Sequence, residues 1–249
     1  MNCIFLSSFR KLSVRRILLN KSLENLRYRI KGRVLEIGAG RIRRPNRFQP
    51  HYDSVTNWTF VDISQERQPH CQCDVQKLPF YDRVFDTVLC LEMLEYVESP
   101  QAALEEIHRI LKVDGILIMS MPFLHRWDSN TDYWRLTQPG LERLLCEKSF
   151  RVESIEAHGG PFSVILNIIQ FVLVQGHVTI FKCLLSGFLF PFLSVMRLLD
   201  PIITAQSSAF THFTTGFIIV AQPEKIMGPC KDSQKRRGVL PKQKKCLAD

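Results

Sequence analysis

The sequence predicts an α/β fold, a doubly wound parallel sheet, and three observations carry that prediction. Val34, Leu35 and Ile37 make a short apolar run that ends in Gly38-Ala39-Gly40. Such a pattern is a buried strand followed by a tight turn whose bare backbone can approach a ligand. A second strand-like run, Asn57 to Ile63 (NWTFVDI), ends in Asp62, 22 residues after Gly40. Nucleotide-binding α/β folds place a carboxylate there to accept hydrogen bonds from ribose hydroxyls. Finally, apolar runs at Val84 to Leu91 and Gly115 to Met121 flank a helical pattern from Pro100 to Leu111, the strand-helix-strand alternation of a parallel sheet. A Gly-x-Gly pair alone also serves as a plain structural turn, so the spacing carries the argument.

The remaining elements follow in chain order. The arm before the first strand, residues 1–30, has no acid before Glu24 and mixes Ser, Arg and Leu. Two readings of it stand: an organelle transit peptide, or a basic amphipathic helix that packs across the site or rests on anionic lipid. A third short strand runs from Cys71 to Val75 and contains Asp74. After a helix that starts at Thr137-Gln138-Pro139-Gly140-Leu141, a sixth strand spans Phe150 to His158. From Ala157 to Phe181, and again from Cys183 to Met196, the chain has no charged residue. Each piece is near the ~20 residues of a bilayer span. Asn167, Gln170, Gln175, Gly176, His177 and Pro191 interrupt them. The expectation is therefore a hydrophobic helical insertion, 159–212, that lies in the membrane interface, caps the site or dimerises, rather than a spanning helix. Phe213 to Gln222 is the last strand. The domain reading is an arm (1–30), a domain (31–222) that contains the insertion, and a basic tail (223–249) expected to be disordered.

Charge is distributed unevenly. Of the net +9, residues 1–33 hold +8 and 223–249 hold +5, which leaves −4 on 34–222. A nucleic-acid groove over the domain is thus disfavoured. The eight cysteines contain no C-x-x-C pair, which argues against zinc and for reduced thiols in a cytosolic-type compartment.

On these residues the chain resembles the class I S-adenosylmethionine-dependent methyltransferases, in their type-11 branch. VLEIGAG is similar to the family's first motif, FVDIS to its ribose-binding strand end, and CDVQKLPF to its adenine-side loop. FDTVLCLEMLEYVESPQAALEEIHRILKVDGILIMSMPF is similar to its fourth strand, following helix and fifth strand. The resemblance covers Lys31 to Leu145. It departs at Ile42, where many members carry a third glycine, within a basic cluster of Arg41, Arg43, Arg44 and Arg47. The LPF-x4-FD spacing and the Asp74 loop speak against a nicotinamide-binding domain.

The resemblance implies a Rossmann-like seven-stranded sheet with an antiparallel last strand, and S-adenosyl-L-methionine as cofactor. Glu36, Gly38 and Gly40 would face its amino acid half, Asp62 its ribose, and Asp74 its adenine, with Leu78 and Phe80 as apolar cover. Glu92 and Glu95 would lie near the methyl sulfonium, although acids are also favoured at a helix start. The substrate side would be the loop from Pro122 to Thr137, which resembles a DYWR.T..GL signature of a branch common in bacteria. His125 is the first candidate for a proton-accepting base, then Asp132. Tyr133, Trp134 and Arg135 would contact the acceptor, or Asp132 and Arg135 would simply pair to hold the loop. The expected partner is a small-molecule or lipid-linked acceptor, in the cytoplasm with a membrane contact or in mitochondria. A binding protein that kept the fold without turnover is the alternative.

Overall fold

Adjacent residues of the first strand belong to opposite cores, as a side-chain period of two requires. In β1 (Gly32–Ile37), Val34 packs into one apolar cluster while Leu35 and Ile37 pack into the other. The computed structural model describes residues 13–40, 48, 54–175, 192, 195–206, 210 and 212–224. Within it, β1 is joined by β2 (Val55–Asp62), β3 (Cys71–Gln72), β4 (Phe85–Leu91), β5 (Leu111–Pro122), β6 (Phe150–Ala157) and β7 (Gly216–Pro223). They form one seven-stranded sheet in the order β3-β2-β1-β4-β5-β7-β6. The pairings from β3 through β5 are parallel; β7 runs antiparallel between β5 and β6. The strand order reverses between β1 and β4, so the crevice for a ligand opens at their carboxyl ends.

Helices cover both faces. One face carries α1 (Val14–Asn25), which buries Leu19 and Leu23 one turn apart against Val34, Leu89 and Ile118. The other carries α2 (Pro100–Ile110) and α3 (Gln138–Glu147). Ala103, Leu104, Ile107 and Ile110 of α2 recur at three- and four-residue spacing, and Leu141, Leu144 and Leu145 of α3 join them. Each helix starts where its sequence provides a cap. Ser13, Ser99 and Thr137 each accept a backbone N–H three residues on, and α2 and α3 also have proline in the first two positions.

The predicted arm helix is present as α1. Of the insertion, α4 (Pro161–Gln175), a short 3₁₀ turn (Arg197–Leu199) and α5 (Asp200–Gln206) are described. Asp200 reaches back across 40 residues to cap α4, accepting the N–H groups of Gly160, Phe162 and Ser163 at 3.0 Å and the Ser163 hydroxyl at 2.6 Å. Among the described residues no helix is long and apolar enough to cross a membrane. The Arg41, Ile42, Arg43, Arg44 and Arg47 cluster, residues 1–12, the middle of the insertion and the basic tail lie outside the described residues. Cys71, Cys73 and Cys90 are free thiols.

Candidate active site

The turn after β1 is built around two glycines. Gly38 has φ +73° and donates its N–H to the Val61 carbonyl at 2.9 Å. A Cβ on Gly38 would stand 2.6 Å from Cγ of Met93; one on Gly40 would stand 1.8 Å from the backbone oxygen of Arg67. The second clash is with main chain and has no rotamer to relieve it. Asp62 closes β2, 7% exposed, and accepts the Ser64 N–H at 2.8 Å. The Arg67 guanidinium stands 3.3 Å from the Asp62 carboxylate and donates to the Gly38 carbonyl at 2.8 Å. The glycine turn and Asp62 are thus one unit, as the spacing predicts, with Arg67 a third member that sequence reasoning did not name.

Glu36 leans sideways along the sheet, accepting the Trp58 indole N–H at 3.1 Å. Asp74 accepts the backbone N–H of Gln76 at 2.9 Å, an Asx turn, and the Gln76 side chain folds back onto it. Leu78 is buried. Arg109 pins its carbonyl at 2.9 Å and that of Phe80 at 2.7 Å, so the Asp74 to Phe80 loop is braced from beneath by α2.

The acids after β4 are placed differently from each other. Glu92 takes a positive φ of 54°, costly for a non-glycine residue, and its N–H donates to the carbonyl and hydroxyl of Ser120 at 3.1 Å. Its carboxylate is paired with Arg15 of α1. Glu95 is 1% exposed, and its Oε2 has no hydrogen-bond partner among the described residues. Burial, reinforced by the neighbouring Glu92 charge, pushes its carboxyl up to about 8. The Glu95 carbonyl accepts the N–H groups of Tyr133 at 2.8 Å and Trp134 at 3.3 Å, and the Trp134 indole donates to the Val97 carbonyl at 2.8 Å. These bonds tie the loop after β5 to the turn after β4.

Within that loop the candidates separate. Asp132 is engaged by Arg135 and by the Asp128 N–H at 2.8 Å, and these contacts hold its carboxyl below the usual range despite burial. Arg135 also donates to the Trp134 carbonyl at 2.8 Å and the Arg126 carbonyl at 3.1 Å. Trp134, Asp132 and Arg135 are therefore committed to holding the loop, whereas Tyr133 is 47% exposed. His125 lines a cavity of about 350 Å³ with Phe123, Leu124, Arg126, Val164, Asn167, Ile168 and Phe171. Its Nδ1 is 3.2 Å from the Asn167 amide, and burial with the nearby Arg15 charge lowers its pKa to about 4. Arg126 stacks over Phe171 at 4.5 Å. Arg15 and Phe171 were not singled out from the sequence, and Asn167 only as a polar interruption of an apolar run. An isolated Asn in an apolar helix was the one signal available for Asn167.

The buried groups give a signed pH dependence. His158 is 2% exposed, and burial lowers its pKa from 6.5 to about 4. The unfolded chain therefore binds the extra proton first, and stability present above pH 6.5 is lost as pH falls toward 4. Glu95, raised from 4.5 to about 8, does the opposite: stability present below pH 4.5 is lost as pH rises toward 8. Glu95→Gln is expected to gain about 3–4 kcal/mol relative to wild type between pH 5 and 8 in urea titrations. A constant difference across that range would show that Glu95 is ionised throughout.

The family model for a methyltransferase domain matches residues 35–119, from β1 almost to the end of β5. That stretch of the chain is similar to a methyltransferase domain. The ubiquinone biosynthesis O-methyltransferase of Haemophilus ducreyi is 33% identical over 70 residues, which are 28% of this chain and 24% of that protein. The uncharacterized protein MJ1123 of Methanocaldococcus jannaschii is 32% identical over 114 residues, 42% of this chain and 52% of that one. The chain thus spans about a quarter to a half of the length of these relatives. A putative methyltransferase from Bacillus halodurans superposes with a TM-score of 0.52 at 15% identity, covering 83% of this chain and 99% of the other. The [4+2]-cyclase SpnF superposes with the same score, 17% identity, and 82% and 80% coverage. Phosphoethanolamine N-methyltransferase 2 of Haemonchus contortus, solved with S-adenosyl-L-methionine, scores 0.52 at 15% identity, over 83% of this chain and 52% of that one. At these identities the structural likeness establishes the fold. The matched stretch holds the glycine turn, Asp62, Asp74, Glu92 and Glu95; the cavity belongs largely to residues after it.

Proposed function

We propose that this chain is an S-adenosyl-L-methionine-dependent methyltransferase acting on a small or lipid-linked acceptor with an apolar body. The observation that carries this reading is the hydrogen bonding of the cavity-lining loop to Glu95, which sets an apolar pocket beside the crevice of a methyltransferase domain. The residues fit the cofactor. The glycine turn leaves main chain bare, Asp62 offers a buried carboxylate at a strand end, and Asp74 with Leu78 and Phe80 forms a polar and apolar pair for a base. Arg67 lies across Asp62 with its side chain 43% exposed, so the cofactor would take its place beside that carboxylate. When bound, the cofactor supplies a methyl group on a sulfonium, an electrophile that needs only an aligned nucleophile.

The chain's residues account for the rest. The cavity walls hold the apolar body and exclude water. Asn167 and His125 are neutral hydrogen-bonding groups for a hydroxyl or amine. A group with a pKa near 4 takes up a proton at pH 7 at a cost of about 4 kcal/mol. His125 can therefore accept the acceptor's proton only as the methyl group moves, or pass it toward Asp128, whose carboxylate is 4.0 Å from Nε2. Arg15 brings a positive charge close enough to lower the His125 pKa, which favours an oxyanion on the acceptor.

The test is transfer of labelled methyl from S-adenosyl-L-methionine to hydrophobic phenols, amines and lipid extracts. His125→Ala is expected to lower kcat about 100-fold, and Asn167→Ala chiefly to raise KM. Cofactor binding without transfer to any acceptor class would instead support a binding protein that kept the fold.

A further inference from the structure

Glu92 is a buried carboxylate on a strained backbone, and its counter-ion comes from another part of the fold. Its side chain is 8% exposed and its φ is left-handed, a conformation that clusters at functional sites in residues other than glycine. It follows β4 directly, and the side chain of its neighbour Met93 lies against Gly38 of the glycine turn. The cation facing it is Arg15 of α1, 11% exposed at the side chain, with Arg16 4.0 Å from the same carboxylate. The first turn of α1 is held on two sides. Ser13 accepts the Arg16 N–H at 3.2 Å, and Gln170 of α4 accepts the Val14 N–H at 2.9 Å. From that base Arg15 reaches over the carboxyl ends of the strands, where open α/β sheets take their ligands. Its charge bears on Glu95 and Tyr96 in the turn after β4, on His125 in the loop after β5, and on His158 after β6. Arg15 Nε has no hydrogen-bond partner among the described residues, so the guanidinium sits on one carboxylate without being fully bonded there.

We propose that Glu92 is the seat for the cationic sulfur of the methyl donor, and that Arg15 is its resident counter-ion, leaving when the donor binds and returning once the product has formed. The proposal rests on the methyltransferase reading. A buried carboxylate stripped of its cation is strongly destabilising, so one cation or the other must hold the seat. S-adenosyl-L-methionine carries a sulfonium. When an acceptor's lone pair takes the methyl carbon, the C–S bonding pair stays on sulfur, and S-adenosylhomocysteine is a neutral thioether. Only the donor can replace the guanidinium charge for charge. The product leaves Glu92 to Arg15, so the pair selects donor over product and favours product release. Both ligands have the same amino acid end, which therefore does not distinguish them.

The experiment is calorimetric titration of the full chain, without acceptor, with each of the two ligands, on wild type, Arg15→Gln and Arg15→Lys. Arg15→Gln is expected to bind the donor about tenfold more tightly while its product affinity stays within about twofold of wild type, because no internal cation has to be displaced. Arg15→Lys keeps a cation and is expected to resemble wild type with both ligands. An Arg15→Gln chain that binds both ligands as wild type does, or both more weakly, overturns the proposal and leaves the pair as a clasp between α1 and the sheet. A second measurement needs no variant and decides the matter if Arg15→Gln does not fold. In a crystal structure of wild type with S-adenosyl-L-methionine, Arg15 is expected to have left Glu92, and a retained pair overturns the proposal. No binding of either ligand by wild type and Arg15→Gln alike would sink the methyltransferase reading and this inference with it, whereas binding with an unchanged preference sinks only the role given to Arg15.

Discussion

Asp200→Ala is expected to lower the unfolding free energy by about 3–5 kcal/mol, among the largest losses from a single change in this chain. The carboxylate is 4% exposed and accepts four hydrogen bonds, three from backbone N–H groups at the start of α4 and one from Ser163. Bonds to a charged acceptor contribute about 1.5–3 kcal/mol each, and the truncation leaves donors buried without partners. Water reaching the opened end of α4 offsets part of that sum. Asp200→Asn retains one acceptor oxygen and is expected to lose roughly half as much. Urea unfolding checks both. Because α4 carries Val164, Asn167, Ile168 and Phe171 of the cavity, the alanine variant should also weaken acceptor binding and leave cofactor binding near wild type. A loss under ~1 kcal/mol would mean that Asp200 does not hold α4 in solution.

Gly40→Ala carries the largest expected effect on binding. The added methyl would meet the Arg67 carbonyl oxygen at 1.8 Å, so either the glycine turn or the Gln65 to Arg67 turn must move. Both flank Asp62, and a displaced cradle should weaken S-adenosylhomocysteine binding by about 100-fold, or ~3 kcal/mol. Gly38→Ala is the comparison. There the obstacle is the Met93 side chain at 2.6 Å, which can turn away, leaving the ~1–2 kcal/mol of a left-handed φ. Gly38→Ala should therefore lose about tenfold, and an equal or greater loss than Gly40→Ala would show that Arg67 does not sit where the structure has it.

Much of this fold was legible because its signals are local. Val34 and Leu35 fall on opposite faces of a strand, Pro100 opens the helical pattern of α2, and Asp62 ends a strand-like run; each needs only its neighbours in sequence. The pairing of Arg15 with Glu92 spans 77 residues, and that of Asp200 with Ser163 spans 37; neither leaves a local trace. The basic arm was readable as a helix, yet nothing in it distinguishes Arg15 from Arg10 or Arg16. The loop from Pro122 to Thr137 shows the same limit. Its density of polar and aromatic residues marked it as important, but Asp132 and Arg135 face their own loop and Trp134 the turn after β4, while His125 lines the cavity with Phe123, Leu124 and Arg126. Composition cannot separate residues that build a loop from those that use it. The apolar character of α4 was equally plain, while the direction it faces depended on three buried polar bonds.

Calorimetric titration of the full chain with S-adenosylhomocysteine tests the central claim most directly. Wild type should bind with a Kd in the micromolar range, and Asp62→Ala, which removes a buried acceptor at the strand end, should bind at least about tenfold more weakly. A folded wild-type chain that releases no heat and shows no binding at millimolar ligand would contradict the account and leave a methyltransferase fold without its cofactor.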